Sequence, residues 1–90
     1  SNELINQVSI MPNPSKDDIF TIAGEFLKDS NFEITISDIP GKKIFNKTYH
    51  ESKGNFSSTI NLSGTPNGIY ILKIVKDNQV LKAVKVEIVN

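Results

Sequence analysis

Phe32, Ile34 and Ile36 alternate with polar residues in the segment 32–38 (FEITISD), and this alternation constrains the fold more than any other feature of the chain. Successive side chains of a β-strand point to opposite faces, so a period of two predicts a strand with one buried and one hydrated face. A helix would need apolar residues three or four positions apart. The segment therefore predicts a sheet whose apolar face is covered by a second layer.

Six other segments have the alternation or the apolar composition of strands. Turn residues separate them, because Pro, Gly, Asn and Asp interrupt β-pairing or favour tight turns. No segment shows convincing helical periodicity, and thirteen Ile against two Ala also favour strands. The predicted strands are residues 8–11, 19–23, 32–38, 43–49, 56–62, 68–76 and 80–89.

Seven short strands at roughly 10-residue spacing predict an all-β fold, namely a seven-stranded immunoglobulin-like antiparallel β-sandwich. The start of the sixth strand supports this prediction. Gly68 and Tyr70 follow Leu62 and a loop, which resembles a tyrosine corner, where the Tyr hydroxyl bonds to backbone a few residues upstream. The 90 residues suffice for one domain, since chains divide into separate cores only beyond about 250 residues.

Three of the connections have specific predicted conformations. Pro40 and Gly41, at the second and third turn positions, predict a type II turn. Asp77 and Asn78 predict a two-residue hairpin turn before the last strand. The polar residues 51–55 predict a longer loop.

The composition excludes several classes of function. Ten Lys balance ten Asp and Glu, so the chain lacks the basic excess of a nucleic-acid binder. The absence of Cys excludes disulfides, thiolate metal sites and cysteine nucleophiles. Five scattered Gly form no phosphate-binding loop, and no apolar run approaches the roughly 18 residues of a membrane-spanning helix. We therefore expect no nucleic-acid partner, no small-molecule substrate and no cofactor.

Few side chains are candidates for catalysis or metal binding. His50 is the single histidine, and no Gly-x-Ser-x-Gly elbow accompanies it, so we expect a solvated residue at a strand end. Asp17 and Asp18 are adjacent carboxylates, but calcium needs six to eight oxygen ligands and no Asp-x-Asp-x-Asp loop supplies them. We expect a solvated turn there, and the sequence leaves open whether a metal ion binds.

The last two predicted strands carry Lys73, Lys76, Lys82 and Lys85. Lysines on edge strands protect a sheet against edge-to-edge aggregation, and a lysine patch can also attract an acidic partner. A different reading is an immunoglobulin-like adhesion or carbohydrate-binding accessory module of a secreted protein. Such modules stack sugars on exposed rings; Trp is absent, and Tyr49 is the best candidate ring.

Several motifs occur in a recognisable order and end in a Lys-bearing apolar strand. In this order, over residues 8–90, the chain resembles the type A C-terminal sorting domain of the type IX (Por) secretion system of Bacteroidetes. The motifs are VSIMPNPS at residues 8–15, FEITISDIPGK at residues 32–42, INLS at residues 60–63 and PNGIYILKI at residues 66–74.

The resemblance implies a non-catalytic signal that follows an N-terminal cargo domain in one precursor. Such cargo crosses the inner membrane, is recognised in the periplasm by an outer-membrane shuttle protein, and reaches the cell surface or the medium. A sortase-like protease then commonly cuts in the linker before the domain. On this reading residues 8–90 are the sorting domain, and residues 1–7 are a linker remnant that contains or adjoins the cut. Ser1 and Asn2 resemble a cloning scar.

The final predicted hairpin offers an edge, lysines and a carboxyl terminus, and edge strands are ready sites for β-augmentation. We therefore expect the last strand to carry recognition and the turn motifs to be structural. The expected recognition residues are Lys82, Lys85, Val86, Glu87, Ile88, Val89 and Asn90; the expected structural residues are Pro12, Asn13, Pro14, Asp38, Gly41, Gly68 and Tyr70.

Overall fold

Two antiparallel sheets form this domain, which confirms the predicted β-sandwich. The structure is a computed structural model that describes residues 5–89. Within that range it contains seven strands and no helix. The strands are β1 (Ile5–Met11), β2 (Ile19–Phe26), β3 (Ser30–Asp38), β4 (Lys43–Glu51), β5 (Gly54–Asn61), β6 (Gly68–Lys76) and β7 (Gln79–Ile88).

The first sheet has the strand order β1-β2-β5 and the second has the order β4-β3-β6-β7. A constant-type immunoglobulin domain would pair the fourth strand with the fifth. Here β4 pairs with β3, so the sheets have three and four strands. The two edge strands of the first sheet are β1 and β5, and those of the second are β4 and β7.

The core lies between the two sheets and is built from alternate residues of each strand. Phe32, Ile34 and Ile36 are buried, as their period of two predicts. Phe20 and Ile22 of β2 face them from the other sheet and are equally buried. The same alternation therefore leaves one face of each sheet for solvent or partners.

Four strands begin one to three residues earlier than predicted, and the reason is clearest for β1 and β5. β1 starts at Ile5, which pairs with Phe26, so residues 5–7 extend the sheet although the sequence assigned them to a linker. β5 starts at Gly54, which also pairs with Phe26. The predicted loop of residues 51–55 was therefore too long. Both errors share a cause, because pairing with the end of β2 extends strands that have little local signal.

The turn between β3 and β4 lies one residue earlier than predicted. The Gly41 N–H donates to the Asp38 carbonyl over 3.0 Å, so the predicted type II turn, with Pro40 in second position, was wrong. The Asp38 carboxylate also accepts from the N–H groups of Gly41 (3.0 Å) and Lys42 (2.6 Å), which favours this placement. Gly41 has a φ of 107°, which residues with a Cβ rarely adopt.

Two other local predictions are confirmed. Asp77 and Asn78 have φ angles of 52° and 62°, as a two-residue hairpin turn requires, and they join β6 to β7. The Tyr70 hydroxyl donates to the Pro66 carbonyl over 2.6 Å, which is the predicted tyrosine corner. Gly68 has a φ of 153°, which residues with a Cβ rarely adopt, whereas an added Cβ would stand at an ordinary contact distance of 3.9 Å from the Tyr70 ring.

Candidate recognition surface

β7 is an edge strand of the second sheet, and its residues alternate between the core and the surface. Val86 and Ile88 are both 0% exposed, so their side chains contribute to the core. Lys85 is exposed and Glu87 is half-buried on the opposite face. Val89, just past the strand, is 38% exposed. The side chains that a partner can contact in the folded domain are therefore a subset of those predicted, and Asn90 lies outside the described residues.

A β-bulge interrupts β7 before this region. Val75 pairs with Val80 and Ile74 pairs with Lys82, which leaves Leu81 as the extra residue. Leu81 is buried, whereas Lys82 is exposed. A bulge bends an edge strand and disturbs its ladder, so this part of β7 is a poor template for another strand.

The four lysines of the final hairpin do not form a single row. Lys85 lies opposite Ile71, and Lys73 lies opposite Ala83, so Lys73 and Lys85 are diagonal neighbours on the outer face of the sheet. Lys76 is half-buried near the hairpin turn, and its ammonium group is 3.4 Å from the Asn31 carbonyl. The outer face near the C-terminal end of β7 thus presents Lys85 in an exposed position.

The C-terminal half of the β7 edge is closed by the segment that follows β1. The Asn13 side chain donates to the Lys85 carbonyl over 2.9 Å and accepts from the Glu87 N–H over 3.1 Å. Ser15 donates its N–H to the Glu87 carbonyl (2.8 Å), and its carbonyl accepts from the Val89 N–H (2.9 Å). These four bonds occupy the backbone groups that β-augmentation of residues 85–89 would require.

We call residues 12–15 the strap, because they leave the first sheet and pair with β7 in the second. Ser15 and Ile88 form a parallel bridge, and Ser15 is completely buried. The Met11–Pro12 and Asn13–Pro14 peptide bonds are both cis. Sequence reasoning gave Asn13 a structural role but missed Ser15, since a parallel pairing 73 residues away has no local signal.

Tyr49, the best candidate ring for a carbohydrate-binding module, is buried. Its side chain is 7% exposed, its ring stacks on Phe32 with centroids 5.1 Å apart, and Phe56 meets it edge-on at 5.5 Å. The Tyr49 and Ser58 hydroxyls lie 3.1 Å apart and link the two sheets. The aromatic surface that a carbohydrate-binding module would use is therefore part of the core at this position.

The remaining polar candidates are engaged in local structure. His50 is exposed near the end of β4, as predicted, with its Nδ1 2.8 Å from the Asn31 Oδ1. The Asp17 carboxylate accepts from the Ser15 hydroxyl and from the Ile19 N–H. In the part of the chain that the structure describes, no three His, Cys, Asp or Glu side chains are grouped to hold a metal ion. Nor does any helix among residues 5–89 have the length and apolarity to cross a membrane.

The fold is that of a small β-sandwich module with seven strands in two antiparallel sheets. The family model described as the secretion system C-terminal sorting domain matches residues 9–90, nearly the whole chain. The chain therefore belongs to the family of C-terminal sorting domains of the type IX secretion system. Such a domain marks an attached N-terminal region for secretion or surface display. No curated protein matches the chain in sequence.

Proposed function

We propose that the domain is a non-catalytic sorting signal whose outward-facing β7 side chains are recognised by an outer-membrane shuttle protein of the type IX system. The cargo and the folded domain pass through the periplasm together, and the cargo ends at the cell surface or in the medium. The main support for this proposal is Lys85. Its side chain is exposed, while the backbone edge of its strand is already bonded to the strap.

The recognition mode follows from the closed edge. The strap bonds the backbone of Lys85, Glu87 and Val89, so a partner strand cannot pair there while the strap stays in place. Recognition therefore runs through side chains on the outer face. Lys85, Glu87 and Val89 are accessible there at least in part, and Asn90 follows them in sequence. Lys82 is exposed at the bulge, opposite the core-facing Ile74.

Val86 and Ile88 have a different role in this proposal. Both side chains are fully enclosed by the core, so a partner cannot contact them without unfolding the strand. Their substitution would impair sorting by destabilising the domain, because truncating a buried aliphatic residue leaves a cavity. Lys85 lacks this ambiguity, since its side chain is exposed.

The start of β1 supports a proposal for where the domain is cleaved from its cargo. A protease needs an accessible, extended segment, and Ile5 and Asn6 already pair with β2. A sortase-like enzyme therefore cuts before Ile5, in residues 1–4 or upstream of them. Mass spectrometry of the separated domain tests this placement, and a cut after Ile5 would contradict it.

The recognition proposal is tested by fusing the chain to the C-terminus of a periplasmic fluorescent reporter in a bacterium with a type IX system. Lys85→Glu reverses one exposed charge, and we expect the exported fraction of the reporter to fall several-fold. Lys28→Glu is the matched control, because Lys28 is also exposed but lies in the loop between β2 and β3, at the other end of the sandwich. Export of Lys28→Glu should equal that of the wild type.

Folding is measured separately for each variant by thermal unfolding of the purified domain. Both substitutions are on the surface, so the midpoint temperatures should stay within about 2–4 °C of wild type. Normal export of Lys85→Glu, or equal loss of export in both variants, would contradict recognition through Lys85.

A further inference from the structure

The sandwich has four strand edges, and three of them carry features that discourage pairing with another strand. β1 is bulged between Asn6 and Ser9 and is followed by Pro12. β4 is bulged opposite Ile36 and Ser37 and carries two Lys. β7 has its own bulge, two Lys and the strap. Each device raises the cost of adding a further strand at that edge.

β5 differs from the other three edges. Its eight residues, GNFSSTIN, contain no charged residue and no Pro. They pair with β2 in unbroken register from Ile19–Asn61 to Phe26–Gly54, without a bulge. Its only sheet neighbour among the described strands is β2, so one row of backbone N–H and C=O groups faces outward. A straight, uncharged edge of this length is a template for another strand.

We infer that the β5 edge is a self-association surface, on which β5 of a second copy of this chain pairs antiparallel across a two-fold axis. The evidence for this occupant is the self-complementarity of the strand. Residues that lie opposite each other in an antiparallel pair share a face, so core-facing Ser58 can lie opposite Ser58 of the second copy. A two-fold axis at Ser58 makes the contact isologous, and an isologous contact between two copies gives a closed dimer.

This register matches every neighbouring pair by chemistry. On the core-facing side, Phe56 lies opposite Ile60 of the second copy, an aromatic residue against a β-branched one. On the outer side, Ser57 lies opposite Thr59 of the second copy, a pair of hydroxyl side chains. Asn55 likewise faces Asn61 of the second copy. The dimer would join the two three-stranded sheets into one sheet of six strands.

A neighbouring face-preserving register, centred on Ser57, is less complementary. It places Phe56 opposite Ser58 of the second copy and Gly54 opposite Ile60 of the second copy. Each core-facing apolar residue then lacks an apolar partner across the interface. The axis at Ser58 is therefore the register to test. One edge pairing is a small interface, so we expect a weak, concentration-dependent dimer.

The test uses charges placed on the outer side of β5, where Ser57 and Thr59 are both exposed and tolerate substitution. The double variant Ser57→Lys with Thr59→Lys places like charges opposite each other twice in the dimer. Ser57→Lys with Thr59→Glu places opposite charges at the same positions. The two variants differ only in the sign of one side chain, so the second is a matched control for the first.

Molar mass is measured by light scattering and sedimentation on the purified chain over a concentration series up to about millimolar. The wild type should rise from 10.0 kDa toward twice that mass. The Lys/Lys variant should remain monomeric, and the Lys/Glu variant should dimerise at least as well as wild type. Hydrogen exchange of the wild-type dimer should show added protection in β5 and no change at the β7 edge.

The inference is overturned if the wild type stays at 10.0 kDa throughout, or if both charge variants dimerise equally. A monomeric wild type together with lost export of the Lys/Lys variant would assign the β5 edge to a strand of the export machinery instead. These readouts are independent of Lys85, so self-association and the recognition proposal stand or fall separately.

Discussion

Asn13→Ala tests whether the strap holds the last strand in the sheet. The substitution removes the side-chain amide that donates to the Lys85 carbonyl at 2.9 Å and accepts from the Glu87 N–H at 3.1 Å. It leaves the two backbone bonds of Ser15 in place. The effect should therefore be a partial loosening of the β7 edge and not the loss of the fold.

The magnitude follows from the number and setting of the lost bonds. A hydrogen bond contributes a net of about 0.5–1.5 kcal/mol to stability. Both Asn13 bonds are solvent-exposed, so water replaces them and no buried group is left unpaired. The two together should be worth about 1–2 kcal/mol of unfolding free energy, at the lower part of their summed range. In a domain of this size each kcal/mol lowers the midpoint temperature by about 4–8 °C.

Two measurements report on this variant. Urea unfolding followed by far-UV circular dichroism gives the global free energy of unfolding. Native-state hydrogen exchange gives the local opening at the Glu87 amide, which loses its acceptor, and we expect its exchange to accelerate by about 5–30-fold. The Val89 amide should be affected less, because its bond to the Ser15 carbonyl remains.

Asn55→Ala is the matched control, since Asn55 is an exposed asparagine on β5, far from the strap. Asn13→Asp separates the two bonds, because a carboxylate keeps the acceptor for the Glu87 N–H but cannot donate to the Lys85 carbonyl. The reasoning is refuted if Asn13→Ala unfolds with the same free energy as Asn55→Ala and the Glu87 amide exchanges at its wild-type rate.

Two further predictions concern local structure. Tyr70→Phe removes the hydroxyl that donates to the Pro66 carbonyl, so the unfolding free energy should fall by about 1 kcal/mol; an unchanged thermal midpoint would exclude this role. Gly41→Ala should cost about 1–2 kcal/mol in urea unfolding, because its φ of 107° disfavours a Cβ although no atom lies within 4 Å. D-alanine at position 41, introduced by synthesis, should restore stability; equal loss with both enantiomers would contradict a backbone cause.

The sequence contains the features of this fold that depend on neighbours in the chain. The alternation of residues 32–38 predicts β3 and its buried face, and Asp77-Asn78 predicts its turn, because each depends on local geometry. The tyrosine corner was predicted correctly for a similar reason, since the Tyr70 hydroxyl bonds to a carbonyl only four residues away. These predictions required no knowledge of which strands pair.

The errors arise where residues far away in the sequence determine whether a side chain is buried or a strand edge is open. Tyr49 lies in a largely polar strand, and only the contacts with Phe32 and Phe56 from other strands bury its ring. The open edge predicted for the last strand fails for the same reason, because Asn13, 72 residues away, bonds to its backbone. Val86 and Ile88 lie on the inner face of the same strand, which limits what they can present to a partner.

The strap also determines how the domain responds to pulling. Ile5, where β1 begins, and Val89, just past β7, lie at opposite ends of the sandwich, since Ile5 pairs with Phe26 while Val89 follows the pairing of Ile88 with Gly68. The strap runs parallel to β7, so tension between these ends slides the two segments past each other. All four strap bonds then bear load at once, whereas in a hairpin opened from one end they would break one by one. If a cargo pulled on the N-terminal end of this domain while its C-terminal end was held, the strap would resist unfolding. Such resistance would favour passage of the domain as a folded body.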